Sequence, residues 1–147
     1  MSNYLQDSVS NGNPPEQALI RRWWHEEHNA QGALVWEYHL EGKYADAVWF
    51  PDESESKGEH PGKQTARNFP LTDQEVVMCE AKSDLTPEVI GQALVYTFFA
   101  KRAGARVAET VVFTETGGQA MREAASGLGL TLVVQPLEES SIAADVE

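Results

Sequence analysis

The chain has 147 residues, which is the size of one domain. Its apolar fraction of 41% and charged fraction of 23% are ordinary for a globular protein, so neither a disordered nor a membrane protein is predicted. A formal charge of −12 argues against a protein that coats nucleic acid through a broad basic surface, because such binding draws on Lys and Arg. The single cysteine, Cys79, excludes an internal disulfide and a cysteine-based zinc site, and favours a reducing, cytoplasmic setting.

The amino-terminal part of the chain predicts a leader, a helix and two strands. Residues 1–12 are polar and have no periodicity, which is typical of a flexible leader. A helix is expected after Asn13, which is a good capping residue followed by two prolines and then by apolar residues at helical spacing. Strands are predicted over 33–41 and 44–50. Simple alternation would place four apolar side chains of the first strand on one face: Leu34, Trp36, Tyr38 and Leu40.

The remainder of the chain predicts a long loop and then alternating strands and helices. Residues 51–73 have no apolar periodicity and are expected to form a long polar loop, either a functional flap or a partly disordered stretch. The elements expected after it are strands 75–82, 107–114 and 130–135, a helix over 86–102 with Thr86 as its cap, a helix over 118–126, and an acidic tail over 137–147. One domain over 13–136 is therefore predicted, of the α/β class, with a mixed central β-sheet flanked by helices in the order α-β-β-β-α-β-α-β.

A cluster of charged groups is expected on two neighbouring strands of this sheet. Asp46 is the one acidic residue in an otherwise apolar strand, and Glu80 and Lys82 project from one face of the next predicted strand. Asp46, Glu80 and the backbone carbonyl of Ala81 form the kind of oxygen ligand set that Mg²⁺ or Mn²⁺ binds. Lys82 beside such a cation would orient or help to deprotonate a water molecule. The pattern predicts a phosphodiester hydrolysis site, although Glu and Lys two residues apart also form ordinary ion pairs at strand ends.

Residues 13–115 resemble the core of the PD-(D/E)XK nuclease superfamily, in which a helix precedes three strands, an aspartate lies in the second strand and an E-x-K triplet ends the third. Two further motifs are similar to subgroups of that superfamily. The spacing from Gln92 to Tyr96 is similar to the Q-x-x-x-Y signature of RecB-like nucleases, and the helix that begins near Glu16 is similar to one in archaeal Holliday-junction resolvases.

The resemblance implies a restriction-endonuclease-like core and metal-dependent DNA cleavage, and it allows a homodimer because small members often pair. Asp46 and Glu80 would be metal ligands, Glu16 an accessory ligand and Lys82 the residue at the attacking water, with support from Gln92 and Tyr96. The residues alone leave alternatives open. Glu16 is explained equally well as a capping-box residue. Gln92 and Tyr96 lie one helical turn apart and would be able to hydrogen-bond to each other over the core.

The chain is predicted to be a Mg²⁺- or Mn²⁺-dependent deoxyribonuclease. It would act in DNA repair, in recombination, or in DNA processing of the restriction or phage type. The basic residues dense enough to contact a DNA backbone are Lys57, Lys63 and Arg67 in the loop and Lys101, Arg102 and Arg106 after the second helix. The alternative is a catalytically inactive nuclease fold that binds a protein partner or nucleic acid, with the acidic surface as its interaction face. A hydrolase that acts on RNA with the same core is a third hypothesis.

Overall fold

The computed structural model describes residues 13–61 and 68–136, so the expected leader (1–12) and acidic tail (137–147) lie outside the described residues. The helices are α1 (Pro14–His28), α2 (Pro87–Arg102) and α3 (Gln119–Gly127). The strands are β1 (Ala33–Leu40), β2 (Lys43–Phe50), β3 (Gly58–His60), β4 (Glu75–Ala81), β5 (Arg106–Thr114) and β6 (Thr131–Val134).

The six strands form one mixed sheet in the order β3-β1-β2-β4-β5-β6, which confirms the predicted α/β class and mixed sheet. β2 runs antiparallel to both β1 and β4, whereas the pairs β1–β3, β4–β5 and β5–β6 are parallel. The β1–β2 connection is a two-residue turn in which Glu41 and Gly42 both have positive φ, as a tight hairpin turn requires.

β3 corrects the predicted element order, which has no strand between β2 and β4. It lies in the stretch 51–73 that was expected to be loop, and its three residues pair in parallel with the first residues of β1. Three residues are too few to show alternation, so sequence periodicity gives no signal for such a strand.

Side-chain caps fix the start of the first two helices. The Asn13 side chain accepts a hydrogen bond from the Glu16 N–H, and the Thr86 side chain accepts one from the Val89 N–H. Both caps agree with the sequence prediction, since these side chains satisfy N–H groups that have no partner within the helix. Among the described residues, no helix is long and apolar enough to cross a membrane.

The helices cover both faces of the sheet. On one face α1 packs its apolar stripe, which includes Leu19 and Trp23, against side chains of β1, β2, β4 and β5 such as Trp36 and Phe113. On the other face α2 and α3 pack over a second set of strand residues, among them Met78 and Val112. The molecule is therefore a three-layer α/β/α arrangement in which β4 is covered by helices on both sides.

The first hairpin changes face halfway along its length, which corrects the predicted face of β1. Leu34 and Trp36 pack in the cluster with α1, whereas Tyr38 and Leu40 pack in the cluster on the α2 side. The change occurs at Glu37, whose φ of 49° is left-handed and rotates the chain that follows it. Simple alternation fails here because one residue in this conformation breaks the two-residue period of a strand.

This change of face positions the candidate site. The β1–β2 register pairs Trp36 with Ala47 and Tyr38 with Ala45, so Glu37 and Asp46 lie opposite each other at the break. Ala47 packs in the α1 cluster and Ala45 in the α2 cluster, so β2 changes face at Asp46. The Asp46 side chain consequently lies at the edge of both cores rather than inside either one.

Candidate active site

Asp46 and Glu80 are held together at the end of β4 by crossed hydrogen bonds. The β2–β4 register pairs Ala47 with Cys79, and continuing it by one residue places Asp46 beside Glu80. The Asp46 N–H donates to Glu80 Oε2 at 3.2 Å, and the Ala81 N–H donates to Asp46 Oδ2 at 2.8 Å. Each strand thus binds a carboxylate of the other, which confirms that the two predicted acidic residues lie together.

This carboxylate pair is poorly solvated. Glu80 is 2% exposed, and its burial together with the adjacent Asp46 raises its pKa well above the ordinary value of 4.5. Burial also raises the pKa of Asp46 from 3.8 to about 6, against the opposing effects of the Ala81 N–H and the Lys82 ammonium. A hydrogen bond between the two carboxyl groups lowers the pKa of Asp46 and raises that of Glu80. Because two close carboxylates cannot both ionise easily, the pair retains a proton more readily than separate carboxyl groups would.

Lys82 follows β4 directly, and its backbone is fixed by a hydrogen bond from its N–H to the Phe113 carbonyl at 2.9 Å. Its ammonium lowers the pKa of both Asp46 and Glu80, so it lies near the pair. It makes no ion pair within 4 Å to any carboxylate of the described residues. Lys82 therefore supplies positive charge to the site without being held by one acidic partner.

Glu16 lies across a small cleft from Asp46. The walls of the cleft also include Trp36, Glu37 and Ala81, and its cavity volume is about 30 Å³. Since one water needs roughly 10–15 Å³ by this measure, the cleft has room for about two waters or for a small cation with one water. Glu16 is near enough to raise the pKa of Asp46.

The Glu16 side chain also faces the end of β4. Burial raises its pKa, while the Lys82 ammonium and a hydrogen bond from the Ser83 backbone lower it, and Glu115 raises it again. The Glu16 N–H still takes part in the Asn13 cap, so the residue serves the helix start through its backbone and faces the cleft with its carboxyl group.

The two residues predicted to support the site lie in the second and third turns of α2. Tyr96 is half-buried, and burial together with the charges of Glu80 and Asp46 raises its pKa, which places its hydroxyl near the pair. Gln92 lines a groove that Tyr96 also lines. Tyr96 therefore lies within electrostatic range of the two carboxylates, and Gln92 lies one turn nearer the helix start.

The donor set of this site fits a hard divalent cation. Two carboxylates converge in a buried place with one nearby ammonium, and a bound cation would remove the repulsion that raises both pKa values. Among the residues that the structure describes, no three His, Cys, Asp or Glu side chains converge as a ready-made metal cage. Mg²⁺ sites often use one or two carboxylates with carbonyls and waters, which is the set that Asp46, Glu80 and the Ala81 carbonyl would supply.

Within the described part of the chain, the predicted DNA-contacting residues do not form one patch. Lys57 lines a surface pocket with Asn29, beyond the end of α1 opposite to Glu16. Arg102 pairs with Glu41 at 3.1 Å, and Lys101 is exposed beside it. The Arg106 guanidinium donates to the Asp73 carbonyl at 2.7 Å. Lys63 and Arg67 lie outside the described residues.

A buried ion pair near the cleft was not predicted. Arg21 of α1 is fully buried, its Nε donates to Glu59 Oε1 at 2.8 Å, and its guanidinium lies 5.0 Å from the centre of the Trp36 ring. The Trp36 indole donates to the same Glu59 oxygen at 2.8 Å. This network ties β3 to α1 and to a wall of the cleft. The sequence does place Arg21 next to the apolar stripe of α1, but Glu59 lies in a polar stretch without any pattern.

Glu37, the residue at the face change, was also missed as part of the cleft wall. A single left-handed residue within a strand leaves no periodic signal in the sequence, so only the structure identifies it.

No family model, no curated protein and no solved structure matches this chain.

Proposed function

We propose that this protein is a metal-dependent deoxyribonuclease of the restriction-endonuclease-like type. The observation that carries the proposal is the Asp46–Glu80 pair, two carboxyl groups joined by crossed backbone hydrogen bonds in a buried place with Lys82 nearby. Burying two carboxyl groups together costs free energy, and a structural role would be filled more cheaply by apolar side chains. A cation site explains why both acids are placed here.

Asp46, Glu80 and the Ala81 carbonyl would hold Mg²⁺ or Mn²⁺, with Glu16 as an accessory ligand across the cleft. The cation would supply positive charge that offsets the charge developing on the phosphate. The Lys82 ammonium would hold the attacking water by hydrogen bonding. The water oxygen would attack phosphorus and lose a proton to solvent, and the bond from phosphorus to the leaving sugar oxygen would break, with that oxygen taking up a proton from solvent. Tyr96 would fix Glu80 from the α2 side, with Gln92 as its neighbour.

A cleavage panel tests this proposal. Plasmid, single-stranded and branched DNA are incubated with the protein in Mg²⁺, Mn²⁺ or EDTA. We expect cleavage that requires the cation and that falls at least about 100-fold in Lys82→Ala and in Glu80→Gln. Glu75→Gln, an exposed glutamate at the other end of the same strand, is the matched control and should cleave like the parent protein. Clean protein that cuts none of these substrates in either cation would refute the proposal.

A second candidate function is a non-catalytic module on the same fold. The exposed apolar side chains of α2, Val95 and Phe98, favour it, because such side chains on a helix face often mark a binding surface. This candidate predicts that the Asp46→Asn variant binds its partner as well as the parent protein does, whereas the nuclease proposal predicts loss of activity.

A further inference from the structure

The outer face of α2 carries an exposed apolar stripe. Val95 is 48% exposed and Phe98 is 58% exposed, and the two lie one turn apart. Gly91 continues the same line toward the helix start, since residues three or four apart share a helix face. No charged residue occurs from 89 to 100, and the inner face is buried against the sheet. A helix that is apolar on both faces is typical of one that is covered on both sides.

The two ends of this outer stripe (Gly91, Val95 and Phe98) have opposite charges. Glu88 is exposed in the first turn of α2, and Arg102 is exposed in the last turn. Both extend the stripe by one further step of three or four residues, so the line runs from acid through apolar residues to base. When two such helices pack antiparallel, each acidic end meets a basic end, whereas parallel packing brings like charges together. The outer stripe is therefore complementary to a second copy of itself.

An antiparallel pair of α2 helices also fits sterically. With a two-fold axis beside Val95, Glu88 of one copy faces Arg102 of the other, and Gly91 faces the aromatic ring of Phe98. No atom of the described residues, apart from the adjacent helix backbone, lies within 4 Å of the place where a Cβ on Gly91 would be. A ring from a second copy has room there, as a knob has in a hole between two packed helices.

Arg102 is able to serve a second carboxylate. Its guanidinium already pairs with Glu41 at 3.1 Å and lies 5.5 Å from the centre of the Phe98 ring. The pair with Glu41 is exposed on both sides and therefore weak, and a guanidinium has five N–H donors. The existing contacts hold the guanidinium on the outer stripe, where Glu88 of a second copy would arrive.

The charges beside the outer stripe do not select a strongly charged ligand. The groove between α2 and the β1–β2 turn holds Glu41 and Glu88 together with Lys43, and Arg102 is paired with Glu41. Two acids and two bases give no net attraction for a polyanion or a polycation. A second copy presents the same charges in reverse order, so it matches this surface.

We propose that the outer stripe of α2 is the interface of a homodimer, in which the α2 helices of two copies pack antiparallel about a two-fold axis beside Val95. Such an isologous contact is closed, so association stops at the dimer. A helix of 16 residues is about 24 Å long, which gives an interface smaller than the standard size and hence a dimer that dissociates on dilution. The dimer does not depend on the proposed nuclease, because no residue of the outer stripe lines the Asp46 cleft.

Analytical ultracentrifugation over about 1–200 µM protein in about 0.15 M salt tests the interface without DNA or a cation. The parent protein should change from monomer to dimer across this range. Val95→Glu should weaken the dimer at least about tenfold, because it places two carboxylates opposite each other at the axis. Leu128→Glu is the matched control, since Leu128 is 55% exposed but lies just after α3, and it should dimerise like the parent protein. Urea unfolding verifies that both variants fold.

A charge exchange between the two ends of α2 tests the antiparallel arrangement itself. Glu88→Arg alone should weaken the dimer, because two basic ends then meet, and Arg102→Glu alone should weaken it because two acidic ends meet. An equimolar mixture of the two variants should dimerise again, since both end contacts then join opposite charges.

A parent protein that stays monomeric up to about 200 µM would overturn the inference and would leave the outer stripe to a different partner, as the second candidate function expects. A dimer that survives Val95→Glu, or that Leu128→Glu dissociates equally, would also overturn it. A mixture of the charge variants that stays monomeric would refute the antiparallel arrangement. Each of these failures leaves the nuclease proposal in place, because cleavage is measured separately.

Discussion

Replacing Asp46 by Asn should stabilise the cation-free protein at neutral pH. The folded state holds the Asp46 proton more tightly than the unfolded chain does, because burial raises the pKa from 3.8 to about 6. The free energy of unfolding therefore falls as pH rises between these two values. The difference between the two pKa values corresponds to at most about 3 kcal/mol of folding stability. About 2 kcal/mol of this stability is lost between about pH 4.5 and pH 7.5. The asparagine side-chain oxygen can still accept the Ala81 N–H.

Urea unfolding in EDTA at several pH values measures this effect. The difference in stability between Asp46→Asn and the parent protein should shift by about 2 kcal/mol in favour of the variant across that range. Asp52→Asn, which removes an exposed aspartate, is the control and should show no such shift. A difference that stays constant from about pH 4.5 to pH 7.5 would refute the reasoning that the buried pair is strained when ionised.

Two further matched pairs of variants test the packing around the site by urea unfolding. Glu59→Gln should cost about 2 kcal/mol because a neutral amide replaces the carboxylate that accepts from the fully buried Arg21. Glu26→Gln, in an exposed ion pair, should cost less than about 0.5 kcal/mol, and similar costs would show that the charge of Glu59 is unimportant. Gly32→Ala should cost about 2 kcal/mol or more, because Gly32 has a φ of 71° and a Cβ there would clash with the backbone at the end of β2. Gly91→Ala in α2 has open space and should stabilise by up to about 1 kcal/mol, so a loss of stability there would contradict the described helix.

The features that the sequence predicted correctly are those set by local chemistry. Asn13 and Thr86 cap their helices because a side-chain oxygen at that position satisfies a free N–H, a rule that needs no tertiary contact. Asp46 and Glu80 meet because each interrupts an apolar strand, and a carboxyl group placed there needs a polar partner. These predictions depended on a few neighbouring residues each.

The features that the sequence did not reveal depend on distant contacts or on a single backbone angle. β3 forms because the edge of β1 is available to pair with it, and nothing within Gly58–His60 signals this. The face change depends on the φ of one residue, Glu37. The ion pair of Arg21 with Glu59 joins residues 38 positions apart in the chain. Periodicity and capping rules contain no information about any of these three.

Calorimetric titration with Mn²⁺ tests the central claim most directly, namely that Asp46 and Glu80 form a divalent cation site. The parent protein should bind about one cation near pH 6 and release protons, so the measured heat should change with the ionisation enthalpy of the buffer. Asp46→Asn and Glu80→Gln should lose this binding, while Glu75→Gln should keep it. Absence of binding to the parent protein, or binding that survives in both site variants, would contradict the account.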